Sequence, residues 1–410
     1  MASRKSGSDY SKRPPQPQGE LMPIVEPERR IRFSGDGWPL GWELARWSEL
    51  LDERAAVTSA AARDRLAARL ALATRNDGSF RLSPPESGPM GRRLSPKRGG
   101  GVEIWPERPW LAARGEGAAL VAAEGLGGDC RIEWEAHGTV WLSGVWSRGM
   151  ATPEPSRTIT PPPARASLAD HGKAAWVEWR GPVVLMEEPD GLSRLKTRRG
   201  VVWSGGDRLA FLYDLIERPA NAISRPLTLS WSWELGQGVH AELLQDETGT
   251  ATGARLTNEA ANTTGDSPTH ALVQLVGETA PSGAAAVELR FSPHQAPTDH
   301  PPRLEARLTL PAGRRRAVLP LTLSWDSTRH THRRLAETRT LTVTRRCALL
   351  GLDQARAERL RWGRAVWLLD FDLHPTEADL HAALGTPLAH ARSLGRMNRA
   401  GRVETTVSLD

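Results

Sequence analysis

The chain has 410 residues with 54 Lys plus Arg against 48 Asp plus Glu, a formal charge of +6 and a pI near 9.9. That length supports a sizeable core without disulfide staples, and the two cysteines, Cys130 and Cys347, form no CxxC pair and are expected as two buried free thiols. Only five of the basic residues are Lys and 49 are Arg. Arg, Ala, Gly, Pro and Trp share G/C-rich codons, so part of the basicity reflects genomic bias, and the Arg are spread along the chain with acids between them. Nucleic-acid binding is therefore disfavoured despite the charge.

Residues 1–30 are polar and proline-rich, with too few apolar anchors to offset the entropy of ordering, and are expected to form a disordered basic arm. They contain no apolar run of signal-peptide length, and no stretch of about 18 apolar residues follows, so a soluble cytoplasmic protein without a membrane segment is expected. Residues 31–101 read as a helical segment and a loop. Trp42, Ala45, Leu50, Leu51 and Ala55 recur at helical spacing, Thr58 or Ser59 is available as an N-cap, and Asn76-Asp77-Gly78 ends the pattern, which predicts one bent helix or a helical pair over 42–75. SPPESGPMGRRLSPKRGGG has no period and reads as surface loop.

The texture then becomes β, and residues 102–350 are assigned to a large antiparallel β-sandwich. CRIEWEAH and GTVWLSGVW alternate on either side of His137-Gly138, and a stiff proline-rich connection covers 152–163. AAWVEW, PVVLMEE, SRLKTRRGVVW and RLAFLYDLIE follow as strands divided by Gly-containing turns. PLTLSWSWEL, HAELLQ, HALVQLV, AVELRF, RLEARLTL, RRAVLPLTLSW and RTLTVT continue the series. Two long polar loops interrupt it at 249–269 and 293–302, and loops on a rigid scaffold are where binding residues gather. Residues 351–410 read as a small C-terminal α/β appendix. It has a helix in LDQARAERLRW, a strand in AVWLLDFDL and a second helix in PTEADLHAAL capped by Thr376. The fold class expected is thus mainly β, a supersandwich-like antiparallel β-sandwich with a short N-terminal helical segment.

PLTLSW occurs twice, at 226–231 and 320–325, without further identity around it. Each copy is read as a core-facing strand opened by a proline that limits pairing, with Leu, Leu and Trp on one face and Thr and Ser on the other. Trp231 and Trp233 share their face with leucines, which favours core packing over a stacking platform for sugars or bases.

Chemistry-bearing residue types are scattered. His330 and His332, two apart in STRHTHRR, offer two nitrogens to a metal, but Arg329, Arg333 and Arg334 surround them and repel a cation. His294 and His300 with Asp299 lie in a proline-rich loop. DFDLHPTEADLH gathers Asp370, Asp372, His374, Glu377 and His381 without a metal-ligand spacing. Adjacent acids occur at Glu133/Glu135 and Glu187/Glu188. No GxxxxGK[ST], GxGxxG, GxSxG or paired CxxC is present, which argues against a conventional NTPase, dehydrogenase, α/β-hydrolase or zinc finger, and no cofactor is expected.

One stretch carries a family pattern. DHGKAAWVEWRGPVVLMEEPDGLSRLKTRRGVVWSGGDRLAFLYDLIE, residues 170–217, resembles the C-terminal β-sandwich of heparinase II/III-like polysaccharide lyases. It passes a His, reverses through alternating Arg and Lys into RRGVVW, and closes a hydrophobic strand on an acid. The resemblance implies a sandwich fold. In that family an α/α-toroid precedes the sandwich and supplies catalytic groups, whereas here about 100 residues precede the β region, so no catalytic residue transfers. His171 is the first position to test, with Glu178 or Asp214 as a carboxylate partner. The function favoured is a non-catalytic module binding a polysaccharide or a protein. The alternatives are a carbohydrate-active lyase or hydrolase and, third, nucleic-acid binding through the arm.

Overall fold

The computed structural model describes Ala67 and residues 71–74, 101–105, 110–124, 130–149, 165–169, 173–180, 184–188, 191–219, 226–245, 249–258, 270–277, 287–292, 302–325, 335–362, 364–373, 381–383, 386–388 and 390–409. In chain order the first strands are β1 (Gly101–Trp105), β2 (Trp110–Gly115), β3 (Ala118–Glu124), β4 (Cys130–Ala136), β5 (Thr139–Gly149), β6 (Arg165–Ala169), β7 (Ala174–Arg180) and β8 (Val184–Glu188). There follow β9 (Gly191–Ser204), β10 (Leu209–Glu217), β11 (Leu227–Leu235), β12 (Val239–Gln245), β13 (Ala251–Asn258), β14 (His270–Leu275), β15 (Val287–Ser292), β16 (Arg303–Leu310) and β17 (Arg316–Ser324). The last are β18 (Glu337–Leu341), β19 (Val343–Arg345), β20 (Ala348–Leu349), β21 (Ala355–Trp362), β22 (Ala365–Asp372), β23 (His381–Ala383), β24 (Thr386–Leu388), β25 (Arg392–Met397) and β26 (Val403–Leu409).

All pairings are antiparallel. The first sheet runs β1-β2-β3-β4-β5-β11-β16-β15, the central sheet runs β12-β13-β14-β17-β10-β9-β7-β6 with β8 added to β9, and a third sheet runs β18-β21-β22-β25-β26. A small sheet, β20-β19-β23-β24, completes the set. One apolar core lies between the first and central sheets and contains Trp134, Trp203, Trp231, Trp233 and Trp325; Trp203 stacks on Trp325 with centroids 4.8 Å apart. A second core lies on the opposite face of the central sheet and joins Trp176, Phe211 and Tyr213 to Leu369, Phe371 and Leu394 of the third. The mainly β expectation holds, and the central sheet is covered on both faces.

That double cover separates the two PLTLSW copies. β11 alternates between buried and half-exposed positions, with Leu229, Trp231 and Trp233 inward and Thr228 exposed, as a one-sided strand must. β17 is buried at every position, so Thr322 and Ser324 are as enclosed as Leu321 and Leu323. Pro226 precedes β11 as expected, but Pro320 lies inside β17, opposite Tyr213, at the point where the β14 ladder ends on Leu275. The Pro320 carbonyl still accepts from Val276 N at 2.9 Å, and the missing N–H is tolerated because the Val276 carbonyl accepts from Arg356 Nη2 at 3.4 Å instead.

Several expectations are corrected. LDQARAERLRW is not a helix: Ala355–Trp362 is β21, paired on both edges with β18 and β22. Its Ala, Arg, Glu and Leu favour helix locally, but the two-residue alternation puts Ala355 and Ala357 in one apolar cluster and Leu360 and Trp362 in another, and this tertiary fit overrides propensity. His381–Ala383, in the second expected helix, is β23, and the rest of that segment before it lies outside the described residues. The C-terminal appendix is therefore built of strands among the described residues. The first half of the 249–269 loop is also a strand, β13, whose Gly253 and small neighbours hide the alternation. A Cβ on Gly253 would stand 2.3 Å from Leu335 Cδ2, so the glycine makes room for the chain crossing above it. Cys130 is buried, but Cys347 is exposed, at a turn where Arg346 and Cys347 both adopt positive φ. Of the 42–75 helix, Ala67, Ala71 and Leu72 are helical and the remainder lies outside the described residues. Leu72 and Ala73 are fully buried, and Arg114 of β2 donates to the Thr74 carbonyl at 2.8 Å. No helix among the described residues is long and apolar enough to cross a membrane.

Gly200 of β9 sits in register with Tyr213 of β10, whose ring lies across it; a Cβ there would come within 2.2 Å of the ring. Gly200→Ala is expected to cost about 1–3 kcal/mol through displacement of a ring locked in the second core. A urea midpoint unchanged from wild type would refute this.

Candidate functional site

The charges inside the sandwich fall into two groups on opposite faces of the central sheet. Asp214 of β10 faces the first sheet, between Tyr213 and Leu215, which face the third. Both of its oxygens accept from Arg199 of β9, from Nε and Nη2 at 3.1 Å each, and the Trp231 indole N–H also donates to Oδ2. Arg199 donates in turn to the Trp146 carbonyl at 2.9 Å, with its guanidinium 4.3 Å from the Trp146 ring centroid. Asp214 and Arg199 are each 1% exposed, so the pair is a closed fork of charge-assisted bonds.

Glu178 of β7 faces the other way. Its Oε2 accepts from the Tyr213 hydroxyl at 2.7 Å and is ion-paired with Arg392 Nε of β25 at 2.9 Å, while Oε1 accepts from Arg198 at 3.3 Å. The Trp176 indole N–H donates to the Tyr213 oxygen at 2.8 Å. Burial, then the adjacent Glu178 charge, push the Tyr213 phenol well above its ordinary value. This cluster ties the central sheet to the third.

Glu178 and Asp214 are thus not brought together, and each already holds a buried arginine. The third expected member, His171, lies outside the described residues. The strands flanking it are described: Ala169 and Ala174 pair at the connected end of the β6–β7 hairpin, and Gly205 N donates to the Lys173 carbonyl at 3.1 Å. That end of the hairpin therefore lies beside the Ser204–Arg208 turn. At the same end, the His137 ring makes a 2.6 Å hydrogen bond with the Trp325 carbonyl, the Trp325 indole donates to the Glu116 carbonyl at 3.2 Å, and Trp325 N donates to the Arg208 carbonyl at 3.3 Å. His137 thereby joins a turn of the first sheet to the end of the central one. Sequence reading placed His137 in a turn but gave it no partner, because the partner lies 188 residues away.

Trp231 and Trp233 are core residues, 1% and 2% exposed, as expected. His294, His300, His330 and His332 lie outside the described residues, as do His374 and Glu377. Asp370 and Asp372 are both buried, and Asp372 is paired with Arg345. Glu133 is buried in β4, Glu135 beside it is half-exposed, and the Glu187 and Glu188 side chains lie outside the described residues. Among the described residues no group of three or more His, Cys, Asp or Glu has metal-binding geometry. Arg356 and Glu358 pair on the inner face of β21, and Arg356 Nη1 donates to the Val318 carbonyl at 2.8 Å, a second tie between the third and central sheets that residue order does not reveal.

No family model matches the chain, and no curated protein matches it in sequence. Solved structures are similar in fold. The crystal structure of heparan sulfate lyase HepC from Pedobacter heparinus gives a TM-score of 0.52 at 8% identity, over 87% of this chain and 62% of that one. A mutant of the same lyase gives 0.50 at 9% identity over 86% and 62%, and a heparinase III gives 0.49 at 9% over 86% and 61%. The chain spans about 62% of the length of the first of these lyases. The resemblance carried by residues 170–217 is therefore a resemblance of fold.

Proposed function

We propose that the chain is a carbohydrate-binding β-sandwich module that recognises a polysaccharide without cleaving it. The observation that carries the carbohydrate half of this reading is the fold likeness to a protein described as a heparan sulfate lyase, at a TM-score of 0.52. The non-catalytic half rests on Glu178 and Asp214, whose 3% and 1% exposure and bound arginines leave neither free to exchange a proton with a substrate.

A panel of neutral, uronate-bearing and sulfated polysaccharides tests the reading by thermal shift of the full chain, with the absorbance of unsaturated product followed in parallel. A rise in melting temperature with at least one member and no new absorbance is expected. Absence of a shift with every glycan would remove the carbohydrate reading. Absorbance that appears with wild type and vanishes in His171→Ala would replace binding with lyase chemistry.

A further inference from the structure

Basic residues scattered in sequence are gathered by strand register at one end of the central sheet. Arg180 of β7, Lys196 and Arg198 of β9, Glu217 of β10 and Arg316 of β17 all point to the side of the third sheet, because their neighbours Trp179, Leu195, Ile216 and Ala317 belong to the core under the first. They stand in two rungs. In one, Arg180 is opposite Arg198, Arg198 opposite Leu215 and Leu215 opposite Val318. In the next, Lys196, Glu217 and Arg316 lie side by side across three strands. Leu215 and Val318 are in the second core, so the cover of the third sheet ends there, and Arg180 and Lys196 are exposed. With strands about 4.8 Å apart and rungs about 7 Å apart, the Cα atoms of the patch span about 14 Å by 7 Å.

The patch holds more cations than its acids neutralise. Arg315 reaches into it beside Arg316, and both donate to Glu217 Oε1, at 3.1 Å and 2.8 Å. Burial raises the Glu217 carboxyl, but the hydrogen bond from Arg316 and the charges of Arg316, Arg315 and Lys196 outweigh it and hold the group below its ordinary value. Glu217 is therefore ionised and still outnumbered. Glu178, which engages Arg198 at 3.3 Å, is shared with the buried Arg392. Arg180 directly faces Arg198 across the ladder, a like-charge pairing that destabilises a sheet, and no acid is paired with Arg180 among the described residues. An anion lying over the two guanidinium groups removes that repulsion and gains charge-assisted bonds.

We propose that this face is where the module binds, and that its ligand is a polysaccharide carrying closely spaced anionic groups, held by Arg180, Lys196, Arg198 and Arg315. The inference rests on the carbohydrate reading above and adds to it a place and a ligand charge. The two rungs contain no aromatic side chain on which a base could stack, which favours an anionic polysaccharide over a single-stranded nucleic acid.

The test is calorimetric titration of the full chain with dextran, dextran sulfate, polygalacturonate and a thymidine oligonucleotide, at 50 and 200 mM salt. One or both anionic polysaccharides should bind, uncharged dextran should not, and the affinity should fall about 10–100-fold between the two salt concentrations as counterions are released. Arg180→Gln/Lys196→Gln alters two exposed side chains and should weaken binding about 10-fold or more while reducing the salt slope by about 2. Arg307→Gln/Arg402→Gln makes the same change of net charge at two exposed positions outside the patch and should leave binding unchanged. The proposal is overturned if dextran binds as tightly as dextran sulfate, if the patch variant binds as wild type does, if the control variant loses as much, or if the oligonucleotide binds more tightly than either anionic polysaccharide. A polysaccharide that binds wild type and patch variant alike removes this proposal and leaves the carbohydrate reading standing, whereas binding of none of the polysaccharides removes both.

Discussion

Asp214→Ala is expected to destabilise the fold by about 3–5 kcal/mol, the cost of leaving Arg199 charged and buried without its partner. The arginine keeps its bond to the Trp146 carbonyl and its place over the Trp146 ring, but it loses both carboxylate oxygens, and the Trp231 indole loses its acceptor. Natural domains hold only about 5–15 kcal/mol in total, so the variant sits at or near the edge of folding. Asp214→Asn should cost less, since one amide oxygen still accepts. Replacing both partners, as Arg199→Met/Asp214→Leu, should restore most of the loss, because apolar side chains of similar volume need no compensation there. Urea unfolding followed by tryptophan fluorescence separates the three. An Asp214→Ala midpoint equal to wild type would show that the fork contributes nothing to stability.

The fold was legible where one physical pattern acted alone. β11 carries a clean two-residue alternation because one of its faces meets the core and the other meets water, and LAFLYDLIE announces a strand covered on both sides by its nearly unbroken apolar run. β21 is not legible as a strand because one whose buried positions include Arg356 and Glu358 looks, residue by residue, like a helix. The pair is affordable only because the central sheet supplies carbonyls to the guanidinium, and no local signal encodes that. The sites were less legible still. Glu178 and Asp214 look equivalent as acids in strands of one sheet, yet alternation sends them to opposite faces, and their partners come from β9, β10 and β25 in one case and from β9 and β11 in the other.

Glu178 tests whether the second buried cluster is structural or catalytic. Removing the carboxylate as Glu178→Ala leaves Arg392, 2% exposed, without its partner and takes the acceptor from the Tyr213 hydroxyl, so a loss of about 3–5 kcal/mol is expected. Glu178→Gln keeps an oxygen for the phenol but confronts Arg392 and Arg198 with a neutral amide, and should fall between the two. Alkaline titration gives an independent reading. The Tyr213 phenol is held above its ordinary value of 10.0 by burial and then by Glu178. Its stabilising contribution is therefore complete below about pH 10 and is lost as pH rises beyond that, where the unfolded chain ionises its phenols first. Tyr213→Phe should lower stability at neutral pH by the value of one charge-assisted hydrogen bond, about 1.5–3 kcal/mol, and flatten the alkaline decline. A structural cluster predicts that stability falls in all three variants and that the alkaline limb flattens in Tyr213→Phe. If Glu178→Gln instead kept the wild-type urea midpoint while abolishing a measurable cleavage of any glycan, the carboxylate would be chemical in role, and the binding-module reading would give way to that of an enzyme.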